Sequence, residues 1–193
     1  GNLRVAVAAP DGTVISVSRE DIRYEKDNHY SDALYFDPEQ LWEQIILLTK
    51  NVLQQAPDVR IKAITATSQR EGIVLADRKG KALIGLPNID HRGREWEPII
   101  PDKDRIYALT GRYPTSLFSA LKLTGIRKRS PELWRQVALI MSISDWVQYQ
   151  WSGVAGYEPS QASETLLYDV AAAAWCDELC AVFNVPSDLL PPL

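Results

Sequence analysis

The chain has 193 residues, 46% apolar and 24% charged, the balance of a soluble globular protein with one domain, or two small ones at most. A chain of this length buries roughly 70% of its unfolded surface, enough for a substantial core. A net charge of −4 with pI near 5.3 excludes the electrostatic footprint of a nucleic-acid binder, no apolar run approaches the ~20 residues of a membrane span, and no basic-then-apolar leader is visible, so a cytoplasmic location is expected.

Leu3 to Ala9 is short, apolar and bounded by Pro10-Asp11-Gly12, the pattern of a buried strand entering a tight turn. Val14 to Val17 alternates and should pair back as a hairpin. Arg19 to Tyr35 is polar and without period. Asp37-Pro38 predicts a helix start, since Asp can cap and Pro fits the first helical position. Leu41, Trp42, Ile45, Ile46, Leu48, Val52 and Leu53 then give one apolar face, until Pro57-Asp58 ends the helix. Ile61 to Thr67 alternates and reads as a strand. Gly72 to Ala76 and Ala82 to Leu86 flank Asp77-Arg78-Lys79-Gly80 as a second hairpin.

Pro87 to Pro101 is loop-rich. A helix is expected over about 116–127 and another from Ser130-Pro131-Glu132, by the same cap-then-proline logic. Val137 to Ile143 reads as a buried strand, and Asp145 to Trp151 as a short helix capped by Gly153. A polar loop from Glu158 to Thr165 precedes a last helix over about 171–183. Cys176 and Cys180, four apart, fit packing thiols on one helix face better than a zinc site. Arg127-Lys128-Arg129 reads as a solvated helix end. Strands mixed with helices, and a hairpin at the start, indicate an α/β domain with a mixed sheet and flanking helices.

Several common engines of catalysis are missing. There is no Gly-x-x-x-x-Gly-Lys-Ser/Thr phosphate loop, no Gly-x-Gly-x-x-Gly after a strand, and no Gly-x-Ser-x-Gly elbow. His29 and His91 are too few for a multi-histidine metal site, and no metal ligands are assigned. What remains is Ser68-Gln69-Arg70-Glu71-Gly72 at a predicted strand end, where ligands of α/β sheets tend to sit. Arg70 offers a fork of donors and Glu71 a pair of acceptors, suited to vicinal hydroxyls. Asn88-Ile89-Asp90-His91-Arg92 is a second polar group. By composition alone, Arg70-Glu71 and Asp90-Arg92 read as surface ion pairs of little worth. Ser144-Asp145 reads as a helix cap, and Trp42, Trp146 and Trp151 as core, whereas Trp96 lies in a polar loop.

These segments, in this order, resemble the FGGY carbohydrate kinases over nearly the whole chain. Gly1-Asn2-Leu3-Arg4, with Asp11-Gly12 after the strand, is similar to that family's opening beyond its Asp-x-Gly-Thr turn. Phe36-Asp37-Pro38 with Trp42 resembles its first helix, and Gln69-Arg70-Glu71 its sugar-contacting segment. Asp90 and Arg92 match its Asp-x-Arg segment, and Ser142 to Trp146 and Pro159 to Asp169 its later half. There are departures: Leu117 and Gly125 stand where the family segment around Lys122 usually has Tyr, Phe or Met and then Trp, and Asn88 stands where glycerol and xylulose kinases favour Trp. Arg70 to Leu75 with Asn88-Ile89-Asp90 sits nearest the autoinducer-2 kinase branch, whose substrate is a short linear hydroxylated ketone.

The resemblance implies a ribonuclease-H-like fold of the actin and hexokinase kind, with residues 1–193 forming part of a substrate-binding N-terminal domain and a C-terminal ATP-binding domain lying outside the chain. It implies that Arg70, Glu71, Asp90 and Arg92, with Gln69 as a lesser partner, contact hydroxyls of a small carbohydrate or polyol, and that Arg4 faces phosphate. ATP and Mg2+ are the implied cofactors of the whole enzyme, and a homodimer is compatible with this reading. The catalytic base, an aspartate, is expected beyond Leu193, so residues 1–193 alone should not phosphorylate. The alternatives are a non-catalytic sugar-binding or regulatory module derived from the same fold, or a xylulose, gluconate or glycerol kinase rather than an autoinducer-2 kinase.

Overall fold

A computed structural model describes all of residues 1–193. Strands β1 (Asn2–Ala8) and β2 (Val14–Asp21) form the expected antiparallel hairpin. The stretch without sequence period contains two short paired strands, β3 (Glu25–Lys26) and β4 (Leu34–Tyr35). Helix α1 (Pro38–Gln55) starts where its cap predicts: Asp37 Oδ1 accepts from Glu39 N at 2.8 Å and from Gln40 N at 3.4 Å. Its buried face, Leu41, Ile45, Leu48 and Val52, is the one the apolar spacing marks. The β1–β2 hairpin lies against this helix, and Ser16 Oγ donates to Val52 O at 3.0 Å.

Strand β5 (Ile73–Ala76) is central, hydrogen-bonded to β6 (Ala82–Leu86) on one side and β7 (Leu139–Ser142) on the other. All four of its residues are buried, because alternate side chains enter two different cores. Ile73 and Leu75 join the larger cluster, which takes in Leu121, Leu123 and Ile126 of α3 (Ser119–Arg129), Leu179 and Phe183 of α7 (Asp177–Phe183), and Ile106 of α2 (Lys103–Thr110). Val74 and Ala76 join Leu41, Ile45, Met141, Ile143 and Trp146, where α1 and α5 (Ile143–Ser152) cover the other face. The sheet is thus the middle layer of three, as in an α/β domain. Each large aliphatic side chain fully withdrawn from water there contributes about 1.5–3 kcal/mol.

Four expectations are corrected. Ile61 to Thr67 belongs to no ladder, and Ile61 and Ile64 are exposed: alternation supplies a pattern, but no neighbouring strand supplies the pairing. All ladders present are antiparallel, so the parallel pairing of a mixed sheet is not among them. The alanine run is not the start of a helix: Ala171–Ala173 form a turn and Ala174 opens a strand. Asp169 Oδ1 accepts from Ala171 N and Ala172 N at 2.9 and 3.0 Å, Ala173 is left-handed, and the turn joins β8 (Tyr168–Asp169) to β9 (Ala174–Trp175). The loop-rich and polar segments hold a 3-10 turn at Arg94–Ile99 and the short helix α6 (Pro159–Ala162), while α4 (Pro131–Trp134) follows its cap-then-proline signal for one turn only.

Trp146 is buried and meets Trp42 edge-on at 6.2 Å between ring centroids; Trp151 lies 4.9 Å from Trp42 but is exposed, so the three pack together and only Trp146 belongs to the core. Cys180 is buried and unpaired, and burial raises its thiol to about 11, the property of a packing cysteine. No helix is long and apolar enough to cross a membrane. Gly85 exchanges two backbone hydrogen bonds with Phe36, and a Cβ on it would meet the Phe36 ring at 2.2 Å. Gly85→Ala should therefore destabilise the domain by about 2 kcal/mol through overpacking; an unchanged urea midpoint would show that the ring can swing aside.

Candidate functional site

The segment Ser68–Gly72 runs into β5 and is fixed to four other parts of the fold. Ser68 Oγ donates to Ser144 Oγ at 3.2 Å and accepts from Ser144 N at 3.1 Å, tying the segment to the first turn of α5. Gln69 bridges: its Nε2 donates to Tyr24 Oη, and its Oε1 accepts from Asn88 N, both at 3.2 Å. Glu71 adopts a left-handed backbone (φ 60), and its carbonyl accepts from Ser119 Oγ at the start of α3. A non-glycine residue held at positive φ signals strain maintained by its surroundings.

Arg70 meets a buried carboxylate that the sequence did not reveal. Glu164, just after α6, is 3% exposed and accepts from Arg70 Nη1 at 3.1 Å and from Arg112 Nε and Nη2 at 3.1 and 2.6 Å. Arg112 follows the left-handed Gly111 cap of α2, with its backbone N–H on Thr110 Oγ1. The two guanidiniums remain open to solvent, 63% exposed for Arg70 and 41% for Arg112. Burial pushes the Glu71 carboxyl above the usual carboxylate range and Glu164 adds to the rise, while Lys122, Arg70 and Arg112 oppose it. The result is a group of donors and acceptors on a rigid frame, able to engage adjacent hydroxyls from two directions.

Asp90 and Arg92 are differently placed. Asp90 is fully buried, its Oδ2 accepting from Arg92 Nε at 2.8 Å and its Oδ1 from Leu34 N at 3.0 Å. The Arg92 side chain, equally buried, also reaches Asp27 Oδ2 and Leu34 O, both at 3.3 Å, and packs over the Tyr30 ring. In this geometry both side chains are withdrawn from solvent and hold β4 to the 88–92 loop. This corrects the reading of a surface ion pair. Asp145 is not itself the cap: Ser142 Oγ caps α5 by accepting from Asp145 N at 3.1 Å and donates to the Asp145 carboxylate at 2.6 Å. Nor is the end of α3 merely solvated, since Arg129 pairs with Glu95 and lies over Tyr30 and Trp96.

Under the site lies Lys122 of α3, fully buried, its Nζ donating to Leu117 O at 2.5 Å, Asp90 O at 2.8 Å, and Asn88 O and Ser116 O at 3.3 Å. Burial lowers its pKa from 10.5 to about 8, against the pull of Asp90 and Glu71. Arg4 stands apart from this group. It lines a cavity of about 410 Å3 with Asn2, Thr67, Ser68, Gln69 and Ser144 at its polar end and Leu3, Phe36, Leu41 and Ile143 among its apolar walls. Ser68 and Gln69 of the segment line this cavity, and Gln69 also reaches Asn88 of the 88–92 loop.

A three-layer α/β domain with a polar group at the entry to its central strand matches known proteins along its full length. The sequence signature described as the FGGY family of carbohydrate kinases, N-terminal domain, covers residues 1–193. A Bacillus subtilis (strain 168) protein, YoaC, described as an inferred sugar kinase, is 53% identical over the entire chain, which spans 40% of that relative. The autoinducer-2 kinase of Salmonella typhimurium (strain LT2) is 26% identical, with 100% of this chain and 38% of the relative covered. In three dimensions, the Plasmodium falciparum glycerol kinase with ADP superposes with a TM-score of 0.90 at 23% identity, over 98% of this chain and 40% of that one. The chain therefore belongs to the FGGY family of carbohydrate kinases and corresponds to its N-terminal domain. Its fold is the α/β fold of those kinases, the actin and hexokinase-like architecture. The chain spans about two-fifths of the length of the relatives it matches.

Two stability measurements test this geometry. Arg112→Ala should cost about 2 kcal/mol, because Glu164 then keeps a single contact from an exposed arginine, whereas Arg70→Ala should stay within about 1 kcal/mol, because Arg112 still grips Glu164 with two nitrogens. Equal costs in urea titrations would contradict the asymmetry. Lys122 also gives a pH dependence. Its folded pKa, about 8, lies below the unfolded 10.5, so the unfolded chain holds more protons between these values and stability rises with pH across that window. The difference between the parent chain and Lys122→Met should show that rise from pH 8 to 10.5; a flat difference would contradict it.

Proposed function

We propose that the domain forms the substrate-binding half of an ATP-dependent kinase that phosphorylates a hydroxyl of a small carbohydrate, polyol or hydroxyketone. The observation that carries this reading is Arg70 and Glu71 on the strand-entry loop, with Glu164 and Arg112 joined to Arg70 beside them, in a chain of the FGGY family. Arg70 and Glu71 are the proposed contacts to substrate hydroxyls, with Gln69 fixing Asn88 beside them. Asp90 and Arg92 shape the neighbouring loop from beneath. A short hydroxylated ketone is favoured over glycerol: the autoinducer-2 kinase likeness supports it, and Leu117 offers no hydroxyl at the position where glycerol kinase has a tyrosine.

ATP and Mg2+ are assigned to the whole protein. No group of three or more His, Cys, Asp or Glu in these residues could hold the metal, and Arg4 is the single basic residue among the residues lining the 410 Å3 cavity. These residues alone do not fit a complete nucleotide–metal site, so the general base, the metal ligands and the adenine contacts are proposed to lie in a second domain. Arg4 is proposed to face phosphate. This domain's own contribution is to bind and orient the substrate hydroxyls, so that positioning supplies much of the rate enhancement.

Arg70→Ala in the two-domain protein should weaken substrate affinity by more than ~1 kcal/mol, roughly fivefold or more, the limit for an exposed ion pair. Calorimetric titration with short hydroxyketones, pentuloses and glycerol would measure it, and an unchanged affinity for whichever compound binds would remove Arg70 from the site. Residues 1–193 alone should show no sugar-dependent ATP turnover in a coupled assay; turnover would place the phosphoryl machinery inside this domain.

A further inference from the structure

We propose that Lys122 is a positioning residue of the substrate site, a buried clamp that holds the 88–90 loop and the 116–117 turn in fixed relation to Arg70 and Glu71. The inference rests on the kinase reading above and goes beyond it by assigning a role to a side chain that touches no solvent and so no substrate.

A lysine ammonium is strongly hydrated in water, and sealing it inside a protein is unfavourable unless its donors are met. Lys122 meets them with backbone oxygens alone, two from the loop after β6 (Asn88 and Asp90) and two from the turn before α3 (Ser116 and Leu117). An ammonium has three N–H donors, so four carbonyls around one nitrogen saturate it, and the attraction of each carbonyl dipole to a full charge exceeds that of a neutral contact. Two segments with no ladder between them are thereby fastened to one helix.

The clamped backbone is the backbone of the site. Asn88 is held from both sides, its N–H by Gln69 and its carbonyl by Lys122. One turn earlier on α3, Ser119 holds the carbonyl of Glu71. Asp90 carries its carbonyl to Lys122 and its carboxylate to Arg92 and Leu34, so the loop is anchored on two faces. Packing leaves no slack: a Cβ on Gly93 would meet Leu121 O at 2.1 Å, and one on Gly125 would meet Arg92 O at 2.7 Å, so α3 and the 88–93 loop approach backbone to backbone. An apolar side chain of similar length at 122 would fill the space and leave four carbonyls facing hydrocarbon. The expected consequence is a loop that retains its place in the core but loses its fixed geometry, in a site where small misplacements reduce binding.

Lys122→Met tests this, with Lys122→Gln carrying the same test, because its amide restores part of the donation, should the methionine variant fail to fold. In the 193-residue chain, amide hydrogen exchange should accelerate at least tenfold at residues 88–91 and 116–118 together, with β5 and α1 unchanged and the glutamine variant intermediate. In the two-domain protein, the KM for the preferred acceptor should rise at least tenfold with kcat within about threefold. Exchange that stays at wild-type rates in both segments, or accelerates uniformly over the chain, overturns the clamp, as does an unaltered KM. A two-domain protein that phosphorylates no acceptor contradicts the kinase reading, and the exchange measurement still decides whether the clamp exists.

Discussion

A positive charge that cannot reach water must be surrounded by oxygen, and at Lys122 this requirement organises one end of the domain. Four carbonyls converge on one Nζ, and they belong to the segments that border Arg70 and Glu71. The Asp90–Arg92–Asp27 group continues the same polar layer under the 88–92 loop. Ionic groups buried in this way are weak contributors to net stability, because desolvation offsets much of their attraction. Their worth here is geometric, since they fix where loops sit against α3.

Above that layer the character changes. Glu164 is buried, yet its two arginines reach solvent, so the charged surface faces outward from a carboxylate that cannot move. Arg112 grips Glu164 with two nitrogens and Arg70 with one. That difference separates a structural guanidinium from one with donors to spare for a ligand. On the function proposed above, this arrangement would hold hydroxyls for a reaction completed by groups elsewhere, with domain closure over the cleft as the accompanying conformational step.

The fold was legible where its determinants are local. Asp37-Pro38 and the spacing Leu41, Ile45, Leu48, Val52 define α1 within a few residues, and Gly153 ends α5 in the left-handed conformation expected of it. It was not legible where partners are distant. Alternation in Ile61–Thr67 says nothing of whether a neighbouring strand is present, and the helix propensity of the alanine run yields to Asp169 and a two-residue ladder. The site divides in the same way. Arg70 and Glu71 stood out by family resemblance and by following Ile61–Thr67, read as a strand that the structure lacks; they stand instead at the entry to β5. Glu164 lies 94 residues from Arg70 and 52 from Arg112, with no local sign of its role. The available signal was a carboxylate within Pro159 to Asp169, a segment already matched to the family. Asp90-Arg92 could be read as a pair but not as a buried one, since spacing does not report depth.

The central claim is that the Ser68–Gly72 loop, with Arg112 and Glu164, is the surface that receives the substrate. Amide chemical-shift mapping of the isotopically labelled domain, titrated with short hydroxyketones and polyols, tests it most directly. The account predicts saturable shifts confined to residues 68–72, 88, 112 and 164. Saturable shifts that leave these positions unmoved and gather elsewhere, for example around Trp96 and Phe183, would contradict it.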